Sequence, residues 1–527
     1  MKNSLLKRYV IGSVLVISVL FSACKKNKNN PEPNPEPEVK ENTKQTPTTD
    51  RTDLTNDSLF LYAKEIYFWN TKLPTYDAFE PRQYSAGSAT NFVKYENNLF
   101  NIVKASKSQD YLTDKPYPKY SYIFDQADKN PTASIPNTTL SVDLDGNGND
   151  VGLRFGYFDI PETASESDYS IFVTAVYPNS PAAVAGIVRG DEITEVNGRT
   201  YGANFDAEIG SIESAKEGSV TLVGKRGSVS FTKTLNKAIY KSNPIYKTTV
   251  FTAGNKKIGY LAYARFSNKE NSESVLTTAF NDFATKGVTD LIVDLRYNGG
   301  GYISTAEHMV NLIAPSGTSG VMFTEHYNST MQNKKATILK NQPLVSTGGQ
   351  VIGTLFDDDY TISGNTTTFQ KKGNLSGIKN VVFIVSRNTA SASELVINSL
   401  KPIITVKLVG ETTYGKPIGF FPITLENKYD VYFSMFETRN SKDEGGYYNG
   451  MIPNVKGYEF AADDKMYDFG NAKDDCTATA INLLAPGVAV TGQAKVSVTA
   501  NRSISTRSQA IGNRSGGEFV GMIENRK

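Results

Sequence analysis

The sequence predicts an α/β protein assembled from several units, and three patterns in the chain carry that prediction. Beyond residue 237, short apolar runs alternate with helix-length amphipathic stretches, as in a sheet flanked by helices. From 136 to 236 the pattern is strand-rich, broken by Gly-Asp and Asn-Gly turns. Earlier still, 57–69 places Leu59, Tyr62, Ile66 and Trp69 at helical spacing, with Asp57 as the expected N-cap. At 527 residues there is room for about two to four such units.

Composition narrows the function. Hydrophobic residues at 39% and charged residues at 21% describe a folded protein rather than a disordered one. Lys+Arg 56 against Asp+Glu 54 gives a formal charge of +2, with no basic excess to recruit nucleic acid. Two cysteines, Cys24 and Cys476, make neither a disulfide framework nor a zinc cluster. Lys2, Lys7 and Arg8 precede an apolar run too short to span a bilayer, followed by Phe21-Ser22-Ala23-Cys24. The segment resembles a bacterial lipoprotein signal, which implies lipidation at Cys24 and a location in the cell envelope, periplasmic or surface-facing. The usual leucine is here Phe21, and an ordinary secretory signal is the alternative. Residues 25–51 are polar and proline-rich, a tether unable to bury a core.

In the folded part, 52–135 reads as a helical unit, with a second helix over 89–103. At 143–154 the opening of a calcium loop appears, but its twelfth position is Arg154 rather than glutamate, so a turn between strands is expected and no metal. Within 136–236, a strand over 171–176 precedes Ser180-Pro181-Ala182, a turn at Gly190-Asp191 and a hairpin at Asn197-Gly198. This stretch resembles a PDZ domain. The resemblance implies peptide binding by strand addition, with Gly152, Leu153, Arg154 and Phe155 in the carboxylate-binding loop.

The unit over 237–481 carries the chemistry. Strands are expected at 258–264, 289–295, 380–385 and 404–409, and helices at 272–284, 305–313 and 391–400. Ser391 follows one strand at a helix N-terminus, where unpaired N–H groups favour developing negative charge. Lys416 follows the next strand, and parallel strands would bring both to one sheet edge, together with the Gly299-Gly300-Gly301 turn. A serine needs a base, and a buried lysine can serve because desolvation lowers its pKa. The only histidines, His308 and His326, lie away from any serine–carboxylate grouping. The Ala392 N–H and a glycine N–H of the turn, from Gly300 or Gly301, are placed to hold an oxyanion.

Asp-Leu-Arg-x-Asn-x-Gly-Gly at 294–301, Ala-Ser-Ala-Ser-Glu at 390–394, Gly-Lys at 415–416 and Gly-Met-Ile-Pro at 450–453 stand in one order behind the PDZ-like segment. That order resembles the C-terminal processing, or tail-specific, serine–lysine peptidases over 152–454. The resemblance implies a ClpP/crotonase-like α/β domain, Ser391 rather than Ser393 as nucleophile, Lys416 as base, polypeptide substrates taken through their C-termini, and no cofactor. Where many members carry a glutamine four residues after the lysine, this chain has Phe420. A catalytically impaired, membrane-tethered peptide-binding scaffold is the first alternative; an acyl-thioester enzyme on a related sheet is the second. Residues 482–527 read as a polar tail, itself a candidate substrate.

Overall fold

The computed structural model describes residues 42–127, 142–159, 169–201, 218–346, 349–490 and 521–524. The lipoprotein signal with Cys24, and most of the tether, lie outside the described residues. Among the described residues no helix is long and apolar enough to cross a membrane.

The first helix, Arg51–Ile66, starts about two turns before the expected cap. Asp50 caps it, accepting from the Thr52 and Asp53 N–H groups. Asp57 instead lies inside the helix and faces inward, where its carboxylate accepts from Tyr76 Oη at 2.6 Å and Arg82 Nη2 at 2.7 Å. The second helix, Asn91–Ser106, is capped by Thr90. These helices share one core with the α/β unit. Phe60, Tyr95 and Ile102 belong to the same apolar cluster as Val293, Tyr429 and Met435. The strand Tyr122–Asp125 then pairs antiparallel with Tyr429–Tyr432.

The β-rich unit is a sheet of Leu153–Asp159, Tyr169–Val176, Glu192–Val196, Ser219–Arg226 and Val229–Asn236, all antiparallel. It has its own core, including Leu153, Phe155, Ile171, Val173 and Leu222. Ser180 caps the short helix Pro181–Val184. Arg189 fastens this unit to the α/β unit. Its guanidinium donates to Glu459 Oε2, to the Tyr467 carbonyl at 3.1 Å and to Tyr297 Oη.

The α/β unit is built on a six-stranded sheet in the order Ile245–Ala253, Lys256–Tyr263, Asp290–Asp294, Asn380–Val385, Thr405–Gly410, Val455–Lys456. The first pair is antiparallel and the rest are parallel. Alternation within Asp290–Asp294 sends Leu291 and Val293 to one face and Ile292 to the other, as the two-residue period of a strand requires. Helices Lys269–Thr285, Ile303–Ile313 and Ala392–Leu400 cover the first face; Asp475–Leu484 covers the second. Because the strands run parallel, the segments that follow Asp294, Val385 and Gly410 emerge at one edge.

Arg296, just past the first of those strand ends, sits 2% exposed between two carboxylates. It donates to Asp294 Oδ2 at 2.6 Å and to Asp474 Oδ1 and Oδ2 at 3.1 Å. The pair locks the turn leading to Gly299–Gly301 onto the helix Asp475–Leu484. Removing the cation alone would strand two buried carboxylates. Arg296→Met should therefore cost about 3–5 kcal/mol in urea unfolding. A loss below about 1 kcal/mol, the value of a surface pair, would show that the site is not sealed.

Candidate active site

Ser391 ends the loop after Asn380–Val385. Thr389 fixes that loop: its Oγ1 donates to the Leu295 carbonyl at 2.6 Å and accepts from the Ser386 N–H at 2.9 Å. Ser391 adopts φ 61° and ψ −113°, a conformation that non-glycine residues rarely hold. Such strain costs about 1–3 kcal/mol and persists only where surroundings enforce it. The residue is fully buried, and among the described residues its Oγ has no hydrogen-bond partner. Ser393, two residues on, donates its hydroxyl to the Asn298 carbonyl at 3.0 Å. The Ser393 hydroxyl is thus tied back to the fold, whereas that of Ser391 is not.

Glu394 does the enforcing. Its Oε2 accepts from the Ser391 N–H and from the Lys416 N–H, both at 2.8 Å. Its Oε1 accepts from the Gly415 N–H at 2.8 Å and from Thr413 Oγ1. The two backbone nitrogens of Ser391 and Lys416 thus lie within two hydrogen-bond lengths of each other, bridged by one oxygen. Burial pushes the Glu394 pKa up, while the four donors pull it back. Four donors and two oxygens match the ionised carboxylate. Gly415 makes the approach possible: at φ +83° any Cβ there would fall 2.4 Å from the Gly450 nitrogen.

Lys416 is fully buried. Its Nζ lies 4.2 Å from the centre of the Phe420 ring and 5.9 Å from that of Tyr120. Burial pulls its pKa down to about 7; Asp110 and Glu394 pull upward, and the charge of Lys119 pushes further down. Much of this environment comes from the N-terminal segment, for which the sequence suggested no chemistry. Tyr120 donates to the Gly415 carbonyl at 2.6 Å, and Tyr414 donates to the Lys119 carbonyl at 2.9 Å. Asp110 is held by the Tyr120 and Ser121 N–H groups and by the hydroxyls of Ser121, Ser434 and Tyr67.

The glycine turn completes the site. A Cβ on Gly300 would lie 2.9 Å from Ser391 Cβ and 3.0 Å from the Ala392 nitrogen, so only glycine lets the turn come this close. The Gly300 N–H is occupied by Asn298 Oδ1 at 2.9 Å. Of the three residues expected to donate to an oxyanion, Ala392, Gly300 and Gly301, Gly300 thus has its N–H engaged within the turn itself.

The other expected residues lie elsewhere. His308 Nε2 pairs with Thr277 Oγ1 and His326 Nε2 with Thr324 Oγ1, both at 2.9 Å, outside the Ser391–Lys416 cluster. Gly152, Leu153, Arg154 and Phe155 lie at the junction of the β-rich and α/β units. Leu153 and Phe155 face the core of the β-rich unit, and the Gly152 N–H donates to Asp150 Oδ1 at 2.8 Å. Arg154 is 4% exposed, with its guanidinium 4.6 Å from the centre of the Tyr297 ring. Asp143, Asp145 and Asn147 form a turn in which the Asp143 carboxylate accepts from the Asp145 and Asn147 N–H groups.

Residues 257–456 match Peptidase family S41, and 172–226 match the PDZ domain. The chain is 26% identical over 268 residues to the carboxy-terminal processing protease CtpA of Bacillus subtilis, covering 51% of this chain and 49% of the relative. It is 24% identical over 333 residues to a CtpA-like serine protease of Staphylococcus aureus, covering 60% and 58%. The chain thus spans about half, or slightly more, of the length of these curated relatives. A solved structure from Bacteroides fragilis, described as an S41 protease, superposes with a TM-score of 0.54 at 19% identity, covering 81% of this chain and 96% of the other. That likeness concerns the fold.

The low lysine pKa is open to direct measurement. In ¹³C-lysine-labelled protein, the Lys416 side-chain resonance should titrate near pH 7, far below the ordinary value of about 10.4. Phe420→Gln replaces an aromatic cover with an amide able to accept from the ammonium, and should raise the midpoint by about one unit. A wild-type midpoint above about 9.5 would mean that burial does not hold this lysine neutral.

Proposed function

We propose that the chain is a serine-type endopeptidase of the C-terminal processing kind, with Ser391 as nucleophile and Lys416 as general base. One observation carries the reading: a buried lysine with a pKa near 7 is joined through Glu394 to a strained, buried serine beside a glycine turn. A neutral Lys416 Nζ takes the proton as Ser391 Oγ attacks the carbonyl carbon. The oxyanion is held by the Ala392 and Gly301 N–H groups, inside a dry site where such donors act strongly. Collapse breaks the C–N bond, and the lysine proton passes to the departing amine. Water, deprotonated by Lys416, then hydrolyses the acyl ester and frees Ser391.

The PDZ domain supports a polypeptide substrate, since such domains take an extended chain as an added strand. The chain is further proposed to work in the cell envelope, tethered through a lipid on Cys24. Phe420, at the position where many tail-specific peptidases carry glutamine, favours the inactive-scaffold alternative. Its ring nevertheless supplies the apolar cover that a neutral lysine requires.

Fluorophosphonate labelling followed by peptide mapping separates enzyme from scaffold. The adduct is expected on Ser391, and casein digestion should fall more than about a thousandfold in Ser391→Ala and in Lys416→Arg, whose guanidinium stays charged. Ser393→Ala should keep most of the activity. A dead Ser393→Ala beside an active Ser391→Ala would reassign the nucleophile.

Anchoring has its own readout. Metabolic labelling with an alkyne fatty acid should tag the wild type and not Cys24→Ala. Equal labelling of the two would remove Cys24 from the account.

A further inference from the structure

A slot one strand wide lies between Gly300–Tyr302 and Phe420, and the chain fills it with its own residues. Gly521–Ile523, from the stretch read as a polar tail, pairs in parallel with the glycine turn: Gly300↔Gly521, Gly301↔Met522, Tyr302↔Ile523. The Gly521 N–H donates to the Gly299 carbonyl at 3.2 Å. On the other side, the Phe420 N–H donates to the Met522 carbonyl and the Glu524 N–H to the Phe420 carbonyl, both at 3.1 Å. The segment is therefore hydrogen-bonded along both edges, as an inserted strand is.

Its register places a peptide group at the candidate chemistry. The Gly521 carbonyl oxygen lies 2.4 Å from the point a Gly300 Cβ would occupy, and Ser391 Cβ and the Ala392 nitrogen lie 2.9 and 3.0 Å from that same point. In a parallel ladder with this register the Gly521 carbonyl faces the Gly301 N–H, the second oxyanion donor. Met522 is fully buried in the main core. Ile523 packs with Tyr122 and Phe420, and the Glu524 carboxylate accepts from Tyr327 Oη at 2.9 Å.

We propose that this slot is the strand-accepting peptide site of the proposed endopeptidase, and that the chain's own 521–524 segment competes with substrate for it. The substrate class that follows is an extended polypeptide with a small residue over Gly300. A large apolar residue comes next, then an aliphatic one against Phe420, then an acid. The term substrate rests on the endopeptidase reading; the occupancy does not. Because occupant and site share one chain, their association is intramolecular, with an effective concentration that can reach the order of millimolar. A peptide offered from solution at micromolar concentration would be largely excluded.

The test uses the full chain carrying Ser391→Ala, so that binding is read without turnover. The probe is a fluorescein-labelled peptide copying residues 516–527, GGEFVGMIENRK, amidated at its C-terminus to remove the carboxylate that PDZ loops capture. Fluorescence anisotropy should show at least about tenfold tighter binding when Met522→Asp is added to the chain, because the internal strand is expelled. The same peptide with aspartate at the methionine position should not bind. Gly521→Pro, which removes the N–H donated to Gly299 without burying a charge, should match Met522→Asp and serves in its place if that variant fails to fold. Equal affinity for the native and displaced chains, or no binding to the displaced one, would overturn the proposal. If binding behaves as expected while fluorophosphonate labels nothing, the slot stands and the endopeptidase reading falls.

Discussion

The carboxylate of Glu394 is the constraint on which the site depends. A strained serine and the backbone of a buried lysine are separate problems for a fold, since each costs free energy that packing alone rarely repays. One ionised carboxylate answers both by accepting from Ser391, Gly415, Lys416 and Thr413. Charge-assisted hydrogen bonds of this kind are roughly twice as strong as neutral ones, and burial strengthens them further. The same carboxylate provides a negative charge that attracts the lysine proton, so it works against a neutral base. Burial outweighs it, and the Lys416 pKa settles near neutrality instead of far below.

That balance draws on parts of the chain distant in sequence. The N-terminal segment delivers Lys119, Tyr120 and Asp110 to the lysine loop, and its strand pairs with the α/β unit. The PDZ domain is anchored close to the turn that carries the glycines, through Arg189 on Tyr297 and Glu459. Arg296 then fixes that turn from below. Among the described residues, the N-terminal helices share one core with the unit whose site they help to build.

Much of the α/β unit was legible because its signals are local. Apolar runs at 290–294, 380–385 and 405–410, each followed by a glycine- or serine-rich turn, specify parallel strands that end at one edge. This was enough to gather Ser391, Lys416 and the glycine turn. Glu394 accepts from the Ser391 N–H at the start of its own helix, a contact that a serine and a glutamate three residues apart can make locally. Its reach to Gly415 and Lys416 depends on tertiary approach, which no spacing encodes. Asp110 and Tyr120 left no trace for the same reason. Asp57 has the residue type of a helix cap, and only its contacts with Arg82 and Tyr76, far along the chain, put it inside the helix as a buried partner. The strand Gly521–Ile523 is three residues long, too short for any periodicity, and a polar context hid it.

In the proposed mechanism, Lys416 activates Ser391 only in its neutral form. The pH dependence of Ser391 phosphonylation by a fluorophosphonate, in which Oγ displaces fluoride from phosphorus, isolates this step. The reagent needs no leaving amine to be protonated, so the rate reports the base alone. The rate should rise tenfold per pH unit below a midpoint near 7 and then level, with that rise abolished in Lys416→Met. A rate independent of pH between about 5 and 9, or the same profile in Lys416→Met, would contradict it.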